Sequence, residues 1–323
     1  MEKGILLISL DYEKMWGVHD CQTKFSYGKN ILGVDDAIDS MINSFKRFNV
    51  NVTFAVVGFM FHKNKNEILT NNPTLLPSYD NFLLSPYDII NTEVGQNENE
   101  DPYFYGLSSI KKILSLNNHE ICTHTYSHYY CLEKGQTINQ FESDLLKAIE
   151  IAKNYGLVYK SIIFPRNQCN SEYIEICKKH GILSFRGNEK SLIYRHENLF
   201  CKIIRLIDSY INLTGYNCYS IDHIQQKIPF NFPSSRFLRP FSNNFSFLEK
   251  LKYQRIKKAM TFAAKNNLVY HLWWHPHNFG INLEQNIKML NEILSHYKFL
   301  NYKYGFESKT MSELSLELIN KKK

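Results

Sequence analysis

Five short apolar runs in this chain each stop at a residue able to do chemistry, and that placement constrains the fold more than any other feature. Asp11 follows the run at 4–10, His124 a short run near 120–122, Arg166 the run at 161–164, Arg186 the run at 182–185, and His275 the run at 268–273. Between them lie longer stretches with apolar residues at helical spacing. Ile38, Met41, Ile42 and Phe45 predict a helix over 35–48; Ile138, Phe141, Leu145, Ile149 and Ala152 follow the capping-box pair Thr137 and Gln140. Such alternation describes βα units, and in parallel βα architectures the strand carboxyl ends gather on one face, where the active site sits. The expectation is a single-domain βα barrel with five strand ends aimed at one cleft.

Two stretches break the rhythm. Residues 71–101 are rich in Pro, Asn and acidic side chains and too long for an ordinary connection, which predicts an inserted loop region, about 71–105, acting as a lid or excursion. Residues 188–246 carry Tyr, Pro and Arg without a clean period, so their elements are left open. The barrel is assigned to 1–300 and a C-terminal extension to 301–323.

With 44% hydrophobic and 21% charged residues, the chain is a folded globule rather than a disordered one. The excess of 38 Lys and Arg over 31 Asp and Glu is read as spread along the sequence, which suits anionic ligands without implying nucleic acid. Seven cysteines at irregular spacing do not form a disulfide framework, so reduced thiols are expected. Lys3 precedes an apolar run of only four residues, 5–8, and no run approaches the roughly 18 needed to span a bilayer, so a cytoplasmic protein without a transmembrane segment is expected.

The most informative segment is 119–128, His-Glu-Ile-Cys-Thr-His-Thr-Tyr-Ser-His. On a helical turn His124 and His128 would lie on one face, close enough to share a metal ion. Spacing alone is weak, since the chain holds a second such pair, His271 and His275. A hydrolytic metal site also needs a carboxylate ligand and a second acid to take a proton, and Asp11-Tyr12-Glu13 supplies two acids that point to the same side of a strand.

Several motifs then resemble, in order, those of the polysaccharide deacetylases with the NodB homology domain, also called carbohydrate esterase family 4. Ser9-Leu10-Asp11-Tyr12-Glu13 is similar to the first motif, Val52-Thr53-Phe54-Ala55-Val56-Val57-Gly58 to the second-strand signature, and His124-Thr125-Tyr126-Ser127-His128 to the His-Ser/Thr-x-x-His motif. Phe164-Pro165-Arg166-Asn167-Gln168 sits at the Arg/Pro motif with its order reversed, and Trp274-His275-Pro276 resembles the late histidine motif. The resemblance spans about 4–280. It implies a distorted (β/α) barrel of the NodB type, a divalent metal, most often Zn2+, and hydrolytic removal of an acyl group from a sugar amide.

Many members carry adjacent aspartates where this chain has Asp11 and Tyr12; an allantoinase-like branch places the second acid two residues on. That pattern makes Asp11 the catalytic base and Glu13, His124 and His128 the metal ligands; the exchange, with Asp11 as ligand, stays open. His275 suits the proton donor to the departing amine, with His277 as the alternative donor or a substrate contact. Arg166 and Arg186 are expected to hold substrate, Trp274 to wall the acyl pocket, and a backbone N–H after Tyr126 or Ser127 to face the oxyanion. The expected substrate is an N-acylated sugar, nucleotide-linked, lipid-linked or free; the other readings are hydrolysis of a small non-sugar C–N bond and a catalytically silent carbohydrate-binding relative.

Overall fold

The computed structural model describes residues 3–189, 199–224 and 227–321. Among the described residues nine strands form one parallel sheet: β1 (Ile5–Tyr12), β2 (Val52–Val56), β3 (His119–Thr123), β4 (Ser161–Ile162), β5 (Ser184–Phe185), β6 (Phe230–Asn231), β7 (Arg236–Phe237), β8 (Val269–Trp274) and β9 (Glu307–Lys309). Their order is β6-β5-β4-β3-β2-β1-β8-β7, with β9 paired to the start of β1. β6 and β7 belong to one extended stretch, 230–238. Phe230 and Phe232 donate backbone N–H groups to Leu183 and Phe185 on one side, and Ser235 and Leu238 to His271 and Trp273 on the other. That stretch bridges the two edges and curls the sheet into a distorted (β/α) barrel, as expected.

β1 and β2 are buried along their whole length, and the period of two sorts the strand residues into two compartments. Leu6, Ile8, Leu10 and Tyr12 of β1 join the larger core with the helices outside, where Ala37, Ile38, Met41 and Phe45 of the helix Val34–Phe48 meet them. Ile5 and Leu7 face inward with Ala55, Cys122, Ile163, Phe232 and Val269, and the helix Met311–Asn320 plugs that end of the barrel with Met311, Leu314 and Leu318. Above this apolar floor the inward positions turn polar, with Ser9 and Asp11 next on β1.

The tail read as an extension therefore contributes structure through Lys321: its first residues complete the helix Leu283–Tyr304, β9 pairs with β1, and the last helix forms the floor. The stretch left open, 188–246, contains the helix Leu199–Asp208 and the bridge 230–238; its residues 190–198 and 225–226 lie outside the described ones. Strands of two residues carry no readable period. The excursion at 71–105 packs around the loop after β1, with the Trp16 indole N–H donating to the Phe104 carbonyl at 2.7 Å and Lys14 to the Pro102 carbonyl at 3.1 Å.

Candidate active site

A cavity of about 370 Å³ opens at the carboxyl ends of the strands, lined by Asp11, Glu13, His124, His128, Arg166, Asn167, Phe237, Trp273, His275 and His277 among others. A larger open groove between the helices Val34–Phe48, Glu249–Lys265 and Leu283–Tyr304 gathers no comparable set of chemically capable groups. The strand-end cavity is the candidate active site.

Glu13, immediately after β1, places Oε2 3.1 Å from Nε2 of both His124 and His128. His124 places Nδ1 2.7 Å from the Ile163 carbonyl, which leaves its Nε2 facing the Glu13 carboxylate. For His128, burial outweighs the pull of Glu13 and lowers the pKa to about 4, so this ring is neutral near pH 7. Glu13, His124 and His128 offer ligand atoms all within 4.8 Å of one another, and this N, N, O set fits a divalent ion. Burial opposes ionisation of Glu13, but His275, His124 and His128 outweigh it and hold the carboxyl well below its usual value.

The two histidines meet without the helical turn expected from their spacing. Residues 124–128 form an irregular loop after β3, with Thr125 and His128 in the left-handed region at φ 64 and 58. Asp144, buried on the helix Ile138–Lys153, fixes that loop by accepting the backbone N–H groups of Tyr126 at 2.7 Å and Ser127 at 3.1 Å, and the Ser127 hydroxyl. The Ser127 N–H, one of the two considered for an oxyanion, is thereby committed elsewhere.

Asp11 stands beside the cluster. Arg186, at the end of β5, donates from Nη1 and Nη2 to its two oxygens, each at 2.7 Å, and also reaches Ser9 and Asn167. Burial would raise the Asp11 pKa; Arg186, chiefly, with help from His124 and His275, outweighs burial and lowers it. Expected as a substrate contact, Arg186 instead spends its donors on protein groups, is 1% exposed, and stacks over Trp273. The order below Asp11 continues through Ser9, which accepts from Arg186 and donates to His271 Nε2 at 2.9 Å, while His271 Nδ1–H donates to the Phe232 carbonyl. His271 thus supports the floor of the site rather than pairing with His275 on a metal.

His275 places Nε2 3.7 Å from Asp11 Oδ2 and 3.6 Å from Glu13 Oε1, with 24% of its side chain exposed to the cavity. His277 stacks on it, ring centroids 4.9 Å apart, and is buried; burial, then His275, push its pKa down to about 3. Trp274, expected at the acyl pocket, points the other way. Positions 271, 273 and 275 face inward and 274 outward, where Trp274 packs on Phe45 and Phe279; Trp273 lines the cavity instead. Arg166 lies at the cavity mouth, paired with Asp20 and over the Tyr130 ring, where its half-exposed guanidinium can still meet a ligand.

Sequence reasoning did not single out Ser9, Asp144, Asn167 or Asp20. Only Asp144 left a signal: an acid on the apolar face set by Phe141, Leu145 and Ala148.

No protein-family profile matches this chain, and no curated protein matches it in sequence. Solved structures do. A Mycobacterium smegmatis structure described as a polysaccharide deacetylase superposes over 99% of this chain and 92% of its own, at 12% identity and a TM-score of 0.63. A Pseudomonas aeruginosa PAO1 structure described in the same way covers 97% and 90%, at 12% identity and TM-score 0.54; the PuuE allantoinase covers 91% and 84%, at 13% and 0.53. At these identities it is the fold that is shared, the barrel of the polysaccharide deacetylases.

Proposed function

We propose that this protein is a metal-dependent hydrolase that removes an N-acyl group, acetyl or formyl, from an amino sugar, acting on a nucleotide- or lipid-linked glycan precursor in the cytoplasm. The observation that carries the reading is the triplet Glu13, His124 and His128 converging within 4.8 Å, with a second, separately held carboxylate beside it. Zn2+ fits the N, N, O donor set, and a bound ion would supply Lewis acidity, polarising the amide carbonyl and making a water acidic near neutral pH.

The chain's own groups do the rest. Asp11, kept ionised and fixed in direction by Arg186, takes the proton from the attacking water. His275, facing both acids and open to the cavity, protonates the nitrogen as the C–N bond breaks. Trp273 and Phe237 provide flat apolar walls suited to a sugar ring or short acyl chain, and Arg166 at the mouth suits an anionic carrier. All seven cysteines are free thiols, which suits a reducing compartment, and among the described residues no helix is long and apolar enough to cross a membrane.

The test is release of acetate or formate from N-acetyl- and N-formylamino sugars in nucleotide-linked, lipid-phosphate-linked and free form, beside small non-sugar amides, with and without chelator. Chelator-sensitive release from a sugar supports the proposal; turnover of the non-sugar amides alone, or of nothing in metal-loaded protein, overturns it.

A further inference from the structure

The helix Leu199–Asp208 carries three faces. Cys201 and Asp208 are buried, and Asp208 accepts from Arg236 in an internal ion pair. Lys202, Arg205 and, one residue past the helix, Ser209 lie on one edge and line a cleft of about 860 Å³. That cleft runs into the active-site cavity, sharing Arg166, Asn167, Phe237 and Trp273 with it. The remaining face is apolar and open: Leu199 is 73%, Phe200 70%, Ile203 48% and Ile207 42% exposed, and Ile211 continues the stripe at 55%. Near the helix end Tyr210 lies within electrostatic reach of Glu249 and Arg239, so the neighbouring segment, with Phe247 76% exposed, belongs to the same side of the molecule.

The segment that carries the stripe is also basic in sequence. Residues 199–258 hold ten Lys and Arg against three Asp and Glu, an excess equal to the +7 of the whole chain; Arg236, Lys252 and Arg255 are buried in ion pairs with Asp208 and Glu249, while Lys202 and Arg205 edge the stripe. An exposed apolar stripe edged by cations matches the boundary of an anionic bilayer, where apolar side chains enter the acyl region and ammonium and guanidinium groups stay at the phosphates. A second copy of the chain fits less well, because a two-fold contact on this face would set the basic segment against itself.

We propose that the apolar face of the helix Leu199–Asp208 docks the protein on an anionic lipid bilayer, turning the Lys202–Arg205 cleft, and behind it the active-site cavity, toward the headgroups. This goes beyond the deacylase reading and is measured without turnover, so failure of one leaves the other standing.

The experiment is co-sedimentation of the full chain with vesicles of phosphatidylethanolamine and phosphatidylglycerol, beside vesicles of phosphatidylcholine alone. The wild type is expected to pellet with the anionic vesicles only. The pair Phe200→Ser and Ile203→Ser lowers the bound fraction about tenfold or more, and Lys202→Glu about fivefold or more, each with an unchanged thermal midpoint. The proposal is overturned if the wild type stays in the supernatant, if it pellets equally with neutral vesicles, if the variants bind like the wild type, or if the face proves to be a dimer contact that the double variant dissolves without any vesicle binding.

Discussion

Arg186 grips both carboxylate oxygens of Asp11 at 2.7 Å although 175 positions separate them in the chain. The pair is buried, so each charge depends on the other. Arg186→Met leaves Asp11 ionised in a site without its counter-charge and is expected to cost about 3–5 kcal/mol of unfolding free energy, measured by denaturant titration. Arg186→Lys restores charge without the two-pronged geometry and falls between. Wild-type stability in Arg186→Met would mean the ion pair is not formed.

Metal content separates the ligand set from its surroundings. Glu13→Gln and His128→Ala are each expected to drop bound divalent metal from about one ion per chain to near none by elemental analysis. A chelator should lower the thermal midpoint of the wild type and leave both variants unmoved. Retention of a full complement by both variants would sink the assignment.

Asp11→Asn keeps the shape of the side chain and removes its basicity. Metal content should stay at the wild-type level while kcat falls roughly 10²–10⁴-fold, the usual share of a general base. Near wild-type turnover would transfer the base to another group.

The two neighbouring tryptophans should behave in opposite ways. Trp274→Ala opens a void against Phe45 and Phe279 and is expected to cost about 3–5 kcal/mol with KM little changed among molecules that remain folded. Trp273→Ala, at the cavity wall, should raise KM with a smaller loss of stability. The reverse pattern would contradict the inward and outward sorting along β8.

Asp144 makes stability depend on pH in an identifiable direction. Burial, outweighing the three hydrogen bonds it accepts, raises its pKa from 3.8 to about 6. Through that interval the folded chain holds a proton the unfolded chain has released, so this contribution is full at lower pH and fades as pH rises, by on the order of 3 kcal/mol in total. Asp144→Asn should remove the slope: the wild-type minus variant difference in unfolding free energy must fall between about pH 4 and pH 7.

What the sequence disclosed was the part governed by period. The buried run of β1, the capped helix at 138–153 and the positions of Asp11, Glu13, His124 and His275 at or beside strand ends follow from local pattern. Alternation along β8 would also have turned Trp274 away from the cavity, had it been applied there. Arg186 was placed at the site but not in its task, because a contact across 175 positions leaves no local trace. The strands at 230–231 and 236–237 are too short to show alternation, and the loop at 124–128 depends on left-handed residues and a distant Asp144 rather than on helical spacing.

The stretch 230–238 touches β5 on one flank and β8 on the other, so the spacing between the strand before Arg186 and the strand before His275 is set by a single strip of backbone. Lengthening or shortening that strip is a way to retune which ligands are admitted while leaving every proposed metal-gripping side chain where it is.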